Sequence, residues 1–196
     1  VSWEVENEIL QECLHEVLQL EDLNLELKPG LGHFTLESRE LIIAPMVEHA
    51  ASAVSRQLQL SSQLILTYLA NTIRSKGREI PYSTVTGIYP AETPSDVLQL
   101  TGSGSASLDE NDILLNEWAA SDLGAEIGDT VELSYYVVGP RDELITESAR
   151  FKLTGIVALK GLAVERELTP EIPGVQEADD ISGWDPPVPI DFGRIR

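Results

Sequence analysis

The sequence is poor in cysteine, and this limits the chemistry that it can support. Cys13 is the only cysteine among 196 residues, so an internal disulfide is impossible and a cysteine-based zinc site is nearly excluded. Cys13 falls on the apolar stripe of a predicted helix, which indicates a buried structural thiol rather than a nucleophile. A single cysteine is compatible with a reducing compartment and equally with an exported domain.

Positive charge is also scarce. The chain has 33 acidic residues against 13 lysines and arginines, a formal net charge of −20. This balance argues against binding to nucleic acid or to anionic lipid, because both rely on basic side chains. Basic partners and cations stay compatible with the charge, although solubility is its plainest interpretation.

Long apolar runs are absent. No stretch reaches the roughly 18 uninterrupted apolar residues that indicate a membrane-spanning helix, and no signal peptide is visible at the start. The chain does not begin with Met, and its single methionine is Met46. We therefore expect a fragment or a processed chain. The apolar content of 42% is ordinary for a globular protein.

Residues 1–100 are predicted to form an N-terminal α+β subdomain. Its first segment, "SWEVENEILQECLHEVLQLEDL", has an amphipathic pattern that predicts a helix, either packed on the domain or acting as a connecting stalk. "HFTLESRELIIAP" predicts one or two strands, and Pro45 suits the first turn of a second helix. The expected packing face of that helix consists of Met46, Val47, Ala50, Ala51, Val54 and Leu58.

A long hairpin is predicted to complete this subdomain. "SQLILTYLANTI" and "IPYSTVTGIY" are the two strands, with Gly77 at the tip of the turn between them. Apolar residues occupy both odd and even positions of the first strand, which predicts that the strand is covered on both faces. Pro81 lies near the start of the second strand, where proline is tolerated. A Gly/Ser loop at residues 101–108 marks the expected subdomain boundary.

Residues 109–160 are predicted to form a strand–helix–strand–hairpin subdomain. After a strand at residues 113–115, Asn116 can cap a short helix that Gly124 can end. Gly128 and Asp129 form a turn before an alternating strand, and a returning strand follows. The residues expected to face the core are Trp118, Ala119, Leu123, Val131, Leu133, Tyr135, Val137, Phe151 and Leu153. Residues 161–196 are predicted to be a Pro-rich acidic tail, extended and partly held by Trp184.

No arrangement in the sequence carries an enzyme signature, so we predict no catalytic, cofactor-binding or metal-binding residues. The three histidines lack metal-ligand spacing. Glu117 and Asp122 could serve as an acid/base pair only if a cleft brought them to either side of a substrate. Other polar candidates are expected to be surface or structural side chains, and they are His15, His33, His49, Ser83, Ser121, Asp179 and Asp180.

Two further groups of residues are candidate binding surfaces. An acidic loop comprises Asp109, Glu110, Asp112 and Glu117, and we expect it to be solvated because it lacks the pattern of an EF-hand. A ligand surface would otherwise be sought at the strand-borne tyrosines, although core packing is the expected fate of each. These tyrosines are Tyr82, Tyr89 and Tyr136.

Four blocks of the second subdomain resemble a known family. They are a strand at residues 113–116, an "AASDL" helix at residues 119–123, a "GDTVEL" turn and strand at residues 128–133, and "FKLTGI" at residues 151–156. Their order is similar to that of the extracytoplasmic core of FtsX-like permeases of ABC transporters, the MacB-like periplasmic domain. "LTYLANTI", "REIPYSTVTGI" and "WDPPVPIDFGRI" resemble one branch of large bacterial permeases with this core.

The resemblance implies an α+β fold with mixed or antiparallel sheets, a packed helix and an amphipathic N-terminal helix. It implies a non-catalytic domain on the extracytoplasmic side of the membrane, without a cofactor, joined to transmembrane helices of the same permease. Its partners would be those helices, a separate cytoplasmic ATPase subunit and an unknown periplasmic partner or cargo. The resemblance transfers no binding residue to this chain, and it leaves open whether the domain forms a homodimer.

Two other hypotheses stay open at this point. One is a free-standing secreted small-barrel domain with a binding or inhibitory role, which predicts a short gene with a signal peptide. The other is a hydrolase with an acidic cleft, which predicts turnover that is lost when Glu117 or Asp122 is replaced by Ala. Hydrophobic segments of about 20 residues on both sides of the domain would favour the permease hypothesis over both.

Overall fold

The computed structural model describes Cys13 and residues 17–30, 32–40, 42–89, 98–102, 108–164 and 189–194. The chain divides into two compact units, Val1–Ser62 and Gln63–Arg196. The described residues form a mixed α+β architecture with two α-helices and two sheets, which confirms the predicted α+β class. Most of the predicted N-terminal amphipathic helix lies outside the described residues, as do most of the Gly/Ser loop and most of the acidic tail with Trp184.

The first unit contains a hairpin and a helix. A 3-10 helix at Leu20–Leu23 precedes strand β1 (Leu25–Pro29), which pairs antiparallel with strand β2 (Phe34–Ser38). Helix α1 spans Pro45–Gln57, with Pro45 in its first turn as predicted. Proline is favourable there because its missing N–H would have no partner inside the helix.

Side chains of the first unit are mostly exposed. Leu25 is the only buried apolar residue among those described in this unit, and α1 has no buried residue. The predicted packing face of α1 is therefore wrong, since Met46 is 83% exposed and Leu58 is 62% exposed. A hairpin of two five-residue strands offers too little apolar surface to cover a helix. Cys13 is exposed as well, so the prediction of a buried thiol is also wrong.

The second unit is built on a five-stranded sheet that curls into a half barrel. Its strands are β3 (Leu64–Ser75), β4 (Arg78–Tyr89), β5 (Asp112–Asn116), β6 (Thr130–Val138) and β7 (Leu144–Val157). Their order across the sheet is β4-β3-β6-β7-β5. Neighbouring strands are antiparallel except β5 and β7, which are parallel.

The β3–β4 hairpin belongs to this sheet. Its turn lies at Lys76 and Gly77, which both have positive φ angles, of 49° and 78°. Two consecutive positive φ angles are typical of the tight turn that matches the twist of a hairpin. Strand β3 pairs with β6 from Thr72 to Arg74. The hairpin is thus joined to the strands after residue 109, whereas the sequence pattern predicted that it belongs with residues 1–100.

The core of the second unit lies between the sheet and a short helix, α2 (Glu117–Leu123). Leu123, Leu133, Leu153 and Val131 are its largest fully buried side chains. Ala119 and Ala120 of α2 are buried together with Leu123, and their small size lets the helix approach the sheet closely. Exclusion of these side chains from water is the main favourable contribution to this fold.

Both ends of α2 follow the predicted capping pattern. The Asn116 side chain accepts a hydrogen bond from the backbone N–H of Ala119 at 2.7 Å, and Gly124 ends the helix with a φ angle of 62°. The prediction for Trp118 is wrong, because this side chain is 56% exposed. Successive helical residues are 100° apart, so Trp118 lies about 100° from Ala119 and about 140° from Leu123, outside the buried face.

None of the helices in the described part of the chain is long and apolar enough to cross a membrane.

Candidate functional site

The candidate acidic residues, Asp109, Glu110, Asp112, Glu117 and Asp122, do not form one site in the structure. Glu117 and Asp122 are five positions apart on α2, which places them about 140° apart around the helix axis. The Glu117 carboxylate accepts a hydrogen bond from the backbone N–H of Leu159 at 3.3 Å. Asp112 accepts one from the backbone N–H of Asp109 at 3.0 Å and so closes its own loop. Within the described ranges, no group of three or more His, Cys, Asp or Glu side chains could hold a metal ion.

The other candidates are dispersed. His49 is exposed, and its ring contacts the carbonyl oxygen of Pro45 at 2.7 Å, so it is the surface histidine that was predicted. His33 is half-buried in the first unit. Ser83 is half-buried on β4, and Ser121 is exposed on α2. The remaining candidates, His15, Asp179 and Asp180, lie outside the described residues.

The tyrosines have different environments. Tyr89 is 69% exposed, so its predicted core packing is wrong. Tyr136 and Tyr82 are half-buried. Of these three, Tyr82 is the one that the structure connects to a distant segment, and it also has an unusual backbone conformation. The residues around Tyr82 therefore form the candidate functional site.

In the middle of the β3–β4 hairpin, the alternation of side chains between the two faces of the sheet shifts by one residue. Regular alternation puts residues an odd number of positions apart on opposite faces of a strand. Yet Ala70 and Ile73 of β3 belong to one core cluster, and Ile80 and Val85 of β4 pack on that same cluster. The alternation must therefore be interrupted in both strands between these residues.

The interruption lies at Asn71 and Tyr82. Ordinary pairing is found on both sides of them, from Ala70 opposite Ser83 to Thr72 opposite Pro81, while Asn71 and Tyr82 are not themselves paired. Tyr82 has a φ angle of 48°, in the left-handed region that bulky side chains rarely adopt. This conformation costs about 1–3 kcal/mol and persists only where surrounding contacts stabilise it. We call this interruption of the alternation at Asn71 and Tyr82 the phase shift.

The prediction that β3 is covered on both faces is wrong for the part of the strand before the phase shift. The pattern predicted a strand covered on both faces, but Ile65 is 40% exposed and Leu66 is 47% exposed. In β3, the core-facing residue before the phase shift, Ala70, is even-numbered, whereas the core-facing residue after it, Ile73, is odd-numbered. Asn71 itself is 6% exposed, and its Oδ1 atom accepts no hydrogen bond from the described residues. Burial of an unpaired amide oxygen adds to the local cost.

A C-terminal segment contacts the hairpin at the phase shift. This segment, residues 189–194, ends in a 3-10 helix at Phe192–Arg194, and we call it the strap. The backbone N–H of Asp191 donates to the Tyr82 hydroxyl oxygen at 2.7 Å. The Arg194 guanidinium donates to Thr72 Oγ1 at 2.7 Å and to Glu79 Oε1 at 3.2 Å, and it lies 5.6 Å from the centre of the Tyr82 ring.

Arg194 extends a row of ion pairs that crosses four strands. Arg74 donates to Glu79 at 2.8 Å and lies 3.9 Å from Glu132, and Arg150 donates to Glu132 at 2.8 Å. Each of these pairs also occupies opposing positions in the sheet. Opposite charges at opposing positions stabilise strand pairing modestly. Hydrogen bonds from Arg74 and Arg194 hold the pKa of Glu79 below its usual value.

A shallow cleft lies between the strap and α2. Its volume is about 510 Å³, and it is lined by Arg78, Glu79, Pro81, Asp122 and Arg194. Arg78 lies over the end of α2, where it donates to the carbonyl oxygen of Asp122 at 3.3 Å. A cation near the C-terminus of a helix is favourable because the last carbonyl groups carry partial negative charge. The arginines of the cleft therefore already have acceptors in the protein.

The sequence alone did not identify this site. Thr72, Tyr82 and Arg194 lie in the three blocks that resemble one branch of large permeases, but that resemblance assigned them no contact, and Arg194 is 122 positions from Thr72. The available signal was indirect, since Pro81, which cannot donate a hydrogen bond to a neighbouring strand, directly precedes Tyr82. Proline is found mainly on edge strands, and β4 is an edge of this sheet among the described strands.

No protein-family model matches the chain, and no curated protein matches it with significant similarity.

Proposed function

We propose that this chain is the extracytoplasmic domain of an FtsX-like ABC transporter permease, with a MacB-like periplasmic fold. In this role it binds a substrate or a periplasmic partner and transmits that event to transmembrane helices, and it performs no catalysis. ATP hydrolysis belongs to a separate cytoplasmic ATPase subunit. The observation that carries the proposal is the order of the four sequence blocks between residues 113 and 156.

The four blocks correspond to consecutive elements of the second unit. Strand β5, helix α2, strand β6 and strand β7 follow one another, and all four contribute to one core. The first block ends in the cap of α2, and the turn at Gly128 and Asp129 leads into β6. This coincidence of the family pattern with caps, turns and core residues supports the proposal more than any one of the short motifs does.

The acidic residues support a binding role over catalysis. Glu117 and Asp122 lie on different sides of α2, and the Glu117 carboxylate is engaged with the backbone of Leu159. A general acid and a general base must flank the same substrate bond. The hydrolase hypothesis therefore requires a rearrangement of α2, whereas the binding hypothesis uses the surface as it stands.

Topology of the full-length gene product tests this proposal. We expect hydrophobic segments of about 20 residues on both sides of the domain. Alkaline phosphatase fused after residue 160 of the full-length protein should be active, because this reporter folds only outside the cytoplasm, whereas green fluorescent protein at that position should be dark. An active cytoplasmic reporter and an inactive phosphatase would contradict the proposal.

The curled sheet favours one alternative, a free-standing secreted small-barrel domain with a binding or inhibitory role. Small curled sheets are a common framework for ligand binding. The sequence of the full-length gene distinguishes the two functions, because this alternative requires a signal peptide and no hydrophobic segment beside the mature domain. Copurification of an ATPase subunit with the full-length protein would favour the permease.

A further inference from the structure

The strap contacts the phase shift itself and the turn side of the hairpin. Its hydrogen bond to the Tyr82 hydroxyl oxygen holds the residue with the left-handed backbone, while Arg194 reaches Thr72 and Glu79 on the turn side of Tyr82. These contacts join residues 191 and 194 to both strands of the hairpin. The strained conformation and the segment that supports it therefore meet at one point.

The two halves of the hairpin are held differently. The half next to the turn, residues 72–81, pairs with β6 and contributes Ile73 and Ile80 to the core. The outer half, residues 64–70 and 83–89, contains exposed apolar side chains such as Leu66. The phase shift determines which side chains of the outer half point to the core. With uninterrupted alternation, Ala70 and Val85 would lie on the face opposite to Ile73 and Ile80.

We propose that the strap is a latch, which holds the outer half of the β3–β4 hairpin in its shifted phase. Release of the strap removes the contacts that stabilise the left-handed conformation of Tyr82. The outer half then relaxes toward regular alternation, and it presents a different set of side chains to each face. Movement of residues 189–194 thereby controls a surface formed by residues 64–70 and 83–89.

The contacts of the latch suit reversible release. The Arg194 side chain is 33% exposed, and that of its partner Glu79 is 41% exposed. Ion pairs with this much solvent access are weak and are screened by salt.

The latch needs no membrane and no transport partner. If the permease function also holds, a segment near the end of the domain controls the outer surface of a hairpin, and that consequence rests on the proposed function.

Thiol labelling tests the change of facing directly. Ala70 is fully buried, so in a Cys13→Ser background the variant Ala70→Cys should react slowly with a maleimide. Adding Arg194→Ala should raise this labelling rate by about threefold to fivefold, because a partly exposed ion pair shifts an equilibrium by no more than about that factor. Ile73→Cys, on the turn side of the phase shift, should stay protected with and without Arg194→Ala. Equal labelling of Ala70→Cys in both backgrounds would overturn the latch.

Hydrogen exchange without any added cysteine gives an independent measurement. In the full chain, Arg194→Ala should speed amide exchange at residues 64–70 and 83–89 and leave β6 and β7 unchanged. Tyr82→Phe, which removes only the hydroxyl acceptor of Asp191, should act in the same direction with a smaller effect. Arg150→Ala is the matched control, because Arg150 lies at the other end of the same row of ion pairs, where it pairs with Glu132. Faster exchange across the whole second unit would mean general destabilisation and would refute a latch.

Discussion

At the scale of single residues, the stability of the second unit depends on where each side chain of α2 points. Leu123 is fully buried among the core residues of the sheet, whereas Trp118 is 56% exposed on the same seven-residue helix. Size and hydrophobicity alone would rank Trp118 as the more important anchor. Burial reverses that ranking, because only area removed from water contributes to the hydrophobic effect.

We expect Leu123→Ala to lower the free energy of unfolding by about 2–5 kcal/mol, because it leaves a cavity in a packed core. Trp118→Ala is the matched control and should cost about 1 kcal/mol or less, as a substitution near the surface. Urea denaturation of both variants followed by circular dichroism measures the difference. A larger loss for Trp118→Ala would show that α2 is rotated relative to the structure.

The Asp129 carboxylate contributes a pH-dependent stabilisation at the residue scale. It accepts hydrogen bonds from Lys76 and from the backbone N–H of Glu126, and these contacts lower its pKa below the ordinary value of 3.8. A lowered pKa in the folded state means that the folded state favours the ionised carboxylate. The stabilisation is therefore fully present above the ordinary pKa, and it is lost as the pH falls through the lowered value.

We expect Asp129→Asn to lower the urea midpoint at pH 6, with a difference from the unsubstituted protein that shrinks as the pH falls below 3.8. Asparagine keeps an acceptor for the Glu126 N–H and removes the charge that attracts Lys76. Glu110→Gln is the control, because exposed Glu110 makes no ion pair with the described residues. A difference that is constant over pH would mean that the charge is not the stabilising feature.

At the scale of elements, the β3–β4 hairpin combines a locally determined turn with a phase shift that depends on distant contacts. The turn at Lys76 and Gly77 needs two positive φ angles, and glycine adopts one of them without steric cost. Gly87, in the outer half of β4, has no such requirement. Gly87 therefore serves as an internal control when the need for a positive φ angle at Gly77 is tested.

We expect Gly77→Ala to destabilise the second unit by about 1–2 kcal/mol, since an alanine in the left-handed region is strained even where space is open. Gly87→Ala should change stability by less than about 1 kcal/mol, in either direction, because its Cβ would lie 3.7 Å from the Leu66 carbonyl oxygen in ordinary contact. Thermal or urea unfolding distinguishes the variants. Equal effects would contradict the turn geometry.

At the scale of the whole molecule, the two units differ in how much apolar surface they bury. The second unit has a continuous core of leucine, isoleucine, valine and alanine side chains, whereas Leu25 alone is buried among the described apolar residues of the first unit. A domain with little buried apolar surface is marginally stable. Exposed apolar side chains on α1 and on the β1–β2 hairpin include Leu27, Phe34, Met46 and Val54.

We expect residues 63–196 expressed alone to unfold cooperatively, with the urea midpoint of the main transition of the full chain. Residues 1–62 expressed alone should show no cooperative transition, because their described part buries so little. Denaturation of both pieces and of the full chain tests this. A midpoint for residues 63–196 well below that of the full chain would show that the two units stabilise each other.

Local chemistry was sufficient to predict several elements. The Asn116 cap, the Gly124 end of α2, the Gly77 turn and the inward positions of Val131, Leu133 and Leu153 were all predicted correctly from residue type and spacing. Each depends on interactions within a few residues or on strict alternation along one strand. The exposure of Trp118 was not predictable in this way, because the choice of buried face depends on which side of α2 meets the sheet.

The candidate site depends on tertiary structure for the same reason. Residue types alone determined an acidic chain of mixed α+β class with a capped helix and a long hairpin, since these follow from composition, caps, turns and periodicity. Only the folded chain decided that β3 pairs with β6, that the side-chain phase shifts at Asn71 and Tyr82, and that Arg194 supports this point. These contacts join residues up to 122 positions apart, and no local pattern encodes which distant partners a strand will meet.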